Sequence, residues 1–398
     1  MKNILYITYD GLLDPVARSQ VLPYLRELSK RGFNIYILSF EKRGRMEAER
    51  YLEEFRADLE RNKIFWKPLR YHKTPAVPAT LFDILAGYFS ALPCLYKNDI
   101  GIIHARGYIS ALIGVLLKWT AGRRLVFDMR GFWPDEKVDA KAWSKDSLIY
   151  ALFKRFERML IKRSDEIIVL TAAAERYLSR DFPAAVITVI PCCVDTAMFE
   201  RKPSKGILPD RAKGRFILTY SGSIGTFYDL EGMALFFSKL KVKDRNAFFW
   251  LVTNSPPETA EEVILKRGID RNDFAVANLD YGEIPSALSA SNFSIMFYKR
   301  RLSSAGCSPI KFAESLACGL PVVINSGIGD TEETIKEEGV GVIVDTSSPE
   351  DIERAVEKIA ILVSEGKDLS VRCRRAAEKI FSLEQAIEKY NIVYQRLS

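Results

Sequence analysis

Histidine and paired cysteine are what this chain has least of. Two histidines, His72 and His104, and six scattered cysteines, none in a Cys-x-x-Cys pair, stand among 398 residues. A structural zinc site is therefore not expected, and the cysteines read as reduced thiols of a cytoplasmic protein. No Gly-x-Gly-x-x-Gly follows the first strand-like run, and no glycine-rich turn ends in Lys-Ser or Lys-Thr, which removes a dehydrogenase-type dinucleotide site and a P-loop. There is no short internal repeat and no low-complexity tract. No run reads as long and apolar enough to span a bilayer; Pro78 to Tyr96, the nearest, holds Asp83, two prolines and a glycine and reads as an amphipathic helix. The N-terminal Met1-Lys-Asn-Ile-Leu-Tyr-Ile-Thr-Tyr-Asp10 reads as a first strand rather than a signal peptide.

What is present is an α/β pattern repeated twice. A chain of this length predicts two cores. Strand-like runs at 4–9, 34–40, 64–68, 101–104, 125–128, 166–170 and 186–190 alternate with helix-like stretches such as 20–31, 46–61, 109–119 and 147–163, as a parallel sheet covered on both faces requires. A polar segment rich in proline and glycine, 200–214, interrupts the pattern. The alternation then restarts, with strands at 216–220, 248–252, 274–277, 293–297, 321–324 and 341–344. This predicts two Rossmann-like domains, 1–203 and 204–381, facing an interdomain cleft. Residues 382–398 form a last helix whose apolar stripe Ala386, Ile387, Tyr390, Val393, Tyr394 and Leu397 needs a surface to cover, and the first domain is the expected one. The formal charge is +7, and the whole excess lies in the first half. That bias points to an anionic partner such as a membrane surface.

Ligands of open parallel sheets bind beyond the C-terminal strand ends. In the second domain three segments lie there. Ser221-Gly-Ser-Ile-Gly-Thr226 offers free backbone amides at Gly222, Ser223 and Gly225. Tyr298-Lys-Arg-Arg-Leu-Ser-Ser-Ala-Gly-Cys-Ser308 ends a strand with three basic residues, of which Lys299 and Arg300 are the candidates for an anionic group, with Ser308 beside them. The third segment is a helix opening after Pro309 and closing at Gly319. Its Lys311 and Glu314 share a face, so a cation for a diphosphate and a carboxylate for a hydroxyl pair stand together. In the first domain, Phe127-Asp-Met-Arg-Gly-Phe-Trp-Pro-Asp-Glu136 brings Asp128 and Arg130 to the same end of the sheet, as candidates for contact with reacting groups, and the loop from Asp10 to Gln20 joins them.

With these residues in view, the chain resembles glycosyltransferase family 4, of the GT-B fold, over nearly its whole length. Lys311-Phe-Ala-Glu-Ser-Leu-Ala-Cys-Gly-Leu-Pro-Val-Val323 resembles the family's Glu-Ala-x-Ala-Cys-Gly-x-Pro-Val-Val core. Val189-Ile-Pro-Cys-Cys-Val-Asp-Thr-Ala-Met-Phe199 and Gly339-Val-Gly-Val-Ile-Val344 are similar to two further family segments. The resemblance implies a retaining transferase that moves a sugar from a nucleotide-diphosphate sugar, with no other cofactor. The chain also contains no Asp-x-Asp, in keeping with transfer that needs no metal. The expected acceptor is a cell-envelope glycan or lipid-linked molecule, not a nucleic acid. The expected location is the cytoplasm, at the inner face of the membrane, with 71–96 and 149–163 as the contact segments. Two other readings share the fold: a binding protein without transferase activity and a nucleotide-sugar epimerase. The sequence also departs from the family. Gly306 stands where a second glutamate is usual, Ser223 and Tyr228 replace a basic pair, and Arg130 aligns with a usual histidine. Positive charge is thus expected to have moved to Lys311, Lys299 and Arg300.

Overall fold

A computed structural model describes residues 2–14, 17, 20–42, 49–202, 206–225 and 227–398. The first residues of the helix expected over 46–61, part of the 10–20 loop, Thr226 and the expected domain boundary at 203 and 204 lie outside them. Contacts divide the chain into two units, residues 1–191 with 386–398, and residues 192–385.

The first unit carries β1 (Lys2–Thr8), α1 (Leu22–Lys30), β2 (Phe33–Glu41), α2 (Glu49–Arg61), β3 (Ile64–Arg70), α3 (Ala76–Lys97), β4 (Ile102–Arg106), α4 (Tyr108–Ala121), β5 (Arg124–Asp128), α5 (Trp133–Asp139), α6 (Leu148–Arg163), β6 (Glu166–Val169), α7 (Ala172–Asp181) and β7 (Ile187–Val189). Its 7-stranded parallel sheet has the order β3-β2-β1-β4-β5-β6-β7. The second unit carries β8 (Phe216–Ser221), α8 (Leu230–Lys243), β9 (Ala247–Val252), α9 (Pro257–Lys266), β10 (Phe274–Ala277), α10 (Ile284–Ser289), β11 (Phe293–Met296), α11 (Ile310–Ala317), β12 (Val322–Asn325), α12 (Thr331–Glu338), β13 (Gly341–Val344), α13 (Pro349–Ser364) and α14 (Lys367–Phe381). Its 6-stranded parallel sheet runs β10-β9-β8-β11-β12-β13. The chain reverses its winding direction between β1 and β4 and again between β8 and β11. Those two switch points are where such sheets open a crevice for ligands.

Every strand expected from the alternation is present. Four helices, α5, α7, α12 and α14, go beyond the expected set. They are short, or charged over most of their surface, so their periodicity is faint; α7 is fixed by the Thr171 hydroxyl, which accepts from the Ala174 amide at 3.0 Å. The final helix α15 (Leu383–Arg396) joins the first unit from Ala386 onward. It buries Ala386, Ile387, Tyr390, Val393 and Tyr394. Tyr390 meets the Tyr24 ring edge-on at 5.6 Å, and Arg396 reaches both Glu166 carboxylate oxygens at 3.1 and 3.0 Å. All six cysteines are free thiols.

One expectation is corrected. Helix α3 is long and apolar enough to cross a membrane by length and composition. Its two prolines fall in the first turn and near the end, so they do not break it. Its inner face is nevertheless tied to the first unit. The buried Asp83 accepts from the Tyr9 hydroxyl at 2.9 Å and meets His72 Nδ1 at 2.6 Å. The outer face exposes Val77, Leu81, Phe82, Leu85, Phe89 and Tyr96.

Candidate active site

The second unit's switch point is an aromatic floor carrying two cations. Strand β8 ends in Tyr220 and Ser221, and the following loop returns to β11 through a bridge between Tyr228 and Tyr298. Their rings lie 4.8 Å apart. The loop is held by Ser255, whose hydroxyl accepts from the Ile224 amide at 2.9 Å, and by Tyr220, which donates to the Ser223 carbonyl at 2.6 Å.

Lys311 reaches this floor from the first turn of α11. Its ammonium is 3.8 Å from the centre of the Tyr228 ring and 5.6 Å from that of Tyr220. It also lies against the backbone of Gly222, where a Cβ would come within 2.0 Å of Nζ. Glycine is favoured at 222 by its φ of 147°, and a side chain there would push the Lys311 ammonium from its place. Lys311 makes no ion pair with Glu314. The Gly222 amide beside it, expected from the sequence to be free, donates to the Val252 carbonyl at 2.8 Å and continues the β8–β9 ladder. Lys311 is therefore a cation held on ring faces that an anion would complete.

Of the three consecutive basic residues, the structure turns in the one that the sequence reading passed over. Arg300 is 83% exposed and pairs with Asp345 at 3.6 Å, and Lys299 is exposed as well. Arg301 lies over Phe227 at 4.6 Å and Tyr298 at 5.4 Å. Its Nε is buried with no hydrogen-bond acceptor among the described residues. Charge alone does not separate the three; the extended Arg301 backbone before the turn Leu302–Gly306 does. Ser308 serves the backbone instead, its hydroxyl accepting from the Cys192 amide at 3.1 Å. Gly225 faces open space.

Helix α11 starts after the extended Pro309 and stops where Gly319 turns left-handed at φ 69°. Within it Glu314 is only 7% exposed. The Tyr281 hydroxyl donates to its Oε1 at 3.0 Å. Burial raises its pKa to about 7, against the pull of Tyr281 and Lys311. Tyr281, a partner that no spacing rule reveals, comes from the turn Tyr281–Glu283. Gly306, where a second carboxylate is usual in the family, is buried in the turn after β11.

In the first unit, Asp128 and Arg130 do come together, but Asp128 is 1% exposed. Its carboxylate lies 3.8 Å from Arg130 Nη1 and 3.5 Å from His104 Nε2. Burial works to raise its pKa, and Arg130, His104 and Arg106 outweigh that and hold it below the usual carboxylate range. Asp128 therefore holds its neighbours. Arg130 is the group nearer solvent; it donates to the Gln20 side-chain oxygen at 3.1 Å from a left-handed backbone, φ 57°. His104, set aside as a non-metal histidine, stacks on Tyr6 at 4.6 Å and meets the Tyr394 hydroxyl at 2.8 Å through Nδ1. Burial lowers its pKa and keeps it neutral.

Two parallel-sheet units, each with charged side chains at its switch point, define a two-domain α/β protein. The family follows from the sequence matches. Residues 19–198 match the model for Glycosyltransferase Family 4 and residues 209–380 that for Glycosyl transferases group 1. The chain belongs to the group 1 glycosyltransferases of the GT-B type and is a transferase. Among solved structures it is similar to sucrose-phosphate synthase from Thermosynechococcus elongatus, with 16% identity, TM-score 0.71, and 100% of this chain and 99% of that one covered. It is also similar to Anabaena Alr3699/HepE in complex with UDP, at 13% identity, TM-score 0.69 and full coverage of both chains. A third is the lipopolysaccharide outer core galactosyltransferase WaaB, at 11% identity, TM-score 0.67 and again full coverage of both. No curated protein matches the sequence.

Proposed function

We propose that this chain is a retaining, metal-independent glycosyltransferase that takes a sugar from a nucleotide-diphosphate sugar and passes it to a cell-envelope glycan or lipid-linked acceptor. The observation that carries the donor assignment is Lys311, a cation held on Tyr228 against the Gly222 backbone with no carboxylate partner among the described residues. In this reading Lys311 and Arg301 stabilise the negative charge that grows on the diphosphate as the glycosidic bond breaks. Glu314 accepts from the ribose hydroxyls. A similar structure holding UDP supports a nucleotide donor. In this reading the two protein cations at the diphosphate supply the role that a divalent metal would otherwise fill.

The acceptor side of the proposal rests on the surface of the first unit. The apolar outer face of α3 is one such surface, and α6 is another, exposing Leu148, Ile149 and Leu152 and carrying Arg155, Arg158, Lys162 and Arg163. Apolar side chains with flanking cations fit an anionic membrane surface, and a cytoplasmic enzyme at the inner face would meet lipid-linked acceptors there. The deciding experiment is a screen of nucleotide sugars with wild type and Lys311→Ala, reading donor affinity and sugar transfer, followed by NMR assignment of the anomeric configuration of the product in the presence of EDTA. Unchanged donor affinity and turnover in Lys311→Ala would sink the donor assignment. An inverted product, or activity lost to EDTA and restored by a divalent ion, would sink the mechanism.

A further inference from the structure

The first unit carries a hydrogen-bonded cluster that the donor assignment leaves unused. Tyr9 is the first residue after β1, and its hydroxyl donates to Asp83 Oδ2 of α3 at 2.9 Å. His72, two residues beyond β3, donates its backbone amide to the same oxygen at 3.1 Å. The His72 imidazole meets the other oxygen, Asp83 Oδ1, through Nδ1 at 2.6 Å. Asp83 itself is fully buried. The strand ends are joined at the same level. Tyr71 donates its amide to the Glu41 carbonyl at 3.0 Å, and the Glu41 carboxylate accepts from the Leu12 and Leu13 amides of the loop after β1 at 2.6 and 3.2 Å. The cluster therefore stands at the C-terminal end of the sheet. It reaches β1, one strand of the β1–β4 switch point, through Tyr9, and its histidine lies two strands away, about 10 Å to the side.

These contacts fix the histidine's tautomer. A carboxylate only accepts hydrogen bonds, so Nδ1 carries the proton, and in a neutral imidazole Nε2 is left with its lone pair. Burial, and then the bond to Asp83, raise the pKa of Tyr9, so its hydroxyl remains a donor and Asp83 the acceptor. The His72 side chain keeps 33% of its surface exposed. With Nδ1 turned in to the buried Asp83, the exposed part of the ring is its far side, which carries Nε2. That nitrogen has no hydrogen-bond partner among the described residues. The exposed ring of Phe82 stands edge-on to the imidazole at 5.1 Å, where the outer face of α3 begins. An outward lone pair beside an exposed aromatic ring fits a sugar, whose hydroxyls donate and whose C–H faces are apolar.

We infer that His72, oriented by Asp83, accepts a hydrogen bond from a sugar hydroxyl of the acceptor. That the sugar belongs to the acceptor rests on the transferase reading; the hydroxyl-binding site itself does not. The acceptor then already bears a sugar when it binds, and an earlier sugar transfer must supply it.

The chain has only two histidines, which makes the test direct. The full chain is labelled with nitrogen-15 histidine, and imidazole NMR spectra are recorded at pH 8 with saturating UDP. Octyl glycosides of glucose, galactose, mannose and N-acetylglucosamine are titrated in below their micellar concentrations. His72→Asn assigns the signals, and the buried His104 serves as internal reference. His72 is expected to show a protonated Nδ1 and a bare Nε2, and at least one glycoside should move Nε2 upfield in a saturable way. His72→Asn keeps an amide donor for Asp83 but has nothing in the place of Nε2. It should melt within a few degrees of wild type and bind that glycoside about tenfold more weakly by calorimetry. His72→Gln, whose amide reaches the position of Nε2, should recover part of the affinity. A proton on Nε2, an Nε2 signal that none of the four glycosides moves, or equal affinity in wild type and His72→Asn would each overturn the inference and leave the pair as a tie between α3 and the sheet. If UDP gives no calorimetric response while a glycoside moves Nε2, the donor reading fails and the sugar site stands. A response to UDP with none to the glycosides sinks the sugar site alone.

Discussion

Replacing Glu314 by glutamine removes a proton-binding site that burial has moved to about 7 while keeping the shape of the side chain. The free protein sets the first sign. A carboxyl whose folded pKa is raised favours the fold when protonated, so its contribution is fully present below about 4.5 and is lost as pH rises through about 7. Across that window the wild type should lose about 3 kcal/mol that Glu314→Gln keeps. The donor sets the second sign. Two ribose hydroxyls donating to Glu314 need the carboxylate, and hydrogen bonds to the charged form favour it. Nucleotide binding should therefore expel the proton. At pH 7 about half of the free protein carries it, so binding should release about half a proton and affinity should rise about tenfold from pH 6 to pH 8. Calorimetric titration with the best nucleotide sugar, in two buffers of different ionisation enthalpy, measures the release directly. Glu314→Gln cancels whatever slope the ligand's own ionisation adds. Equal slopes in wild type and Glu314→Gln would refute the ribose role, and an affinity that falls as pH rises would refute the sign.

Lys311→Met should keep most of the apolar contact with Tyr228 and Tyr220 yet lower kcat/KM about a hundredfold, and Arg301→Met should do the same, because each removes one cation from the leaving diphosphate. The two rest on one tyrosine pair, so the double variant should fall short of the product of the single effects in steady-state assays. Gly319→Ala should cost roughly 2–4 kcal/mol in urea unfolding, since its φ is 69° and the new Cβ would sit 2.3 Å from the Ser370 hydroxyl. Leu85→Glu with Phe89→Glu should abolish flotation with anionic liposomes while leaving Tm within a few degrees, as both side chains are exposed.

The fold was legible because parallel sheets write themselves plainly: each strand is a short apolar run bounded by a helix, and thirteen such runs are hard to arrange otherwise. The site was legible where chemistry and chain position coincide, as at Lys311 and Glu314, which one helix turn sets on a common face. It was not legible where tertiary packing chooses between equals. Lys299, Arg300 and Arg301 carry the same charge, and only the rings of Phe227 and Tyr298, remote in sequence or pointing by backbone geometry, select the third. Tyr281 reaches Glu314 from 33 residues away. Arg106 was hidden for a further reason. It sits at the end of an apolar strand, where a lone arginine reads as the point at which the chain emerges into water. The lateral register, Thr8 to Arg106 to Asp128, is what puts it under cover. Asp128 keeps Arg130 and His104 beside it by charge, its Oδ1 having no hydrogen-bond partner among the described residues. Arg301 in the second unit is also covered, its Nη2 lying 3.9 Å from Cys307 Sγ and its Nε without an acceptor among the described residues. In the proposed reaction Arg301 would be completed by the oxygens of the donor diphosphate.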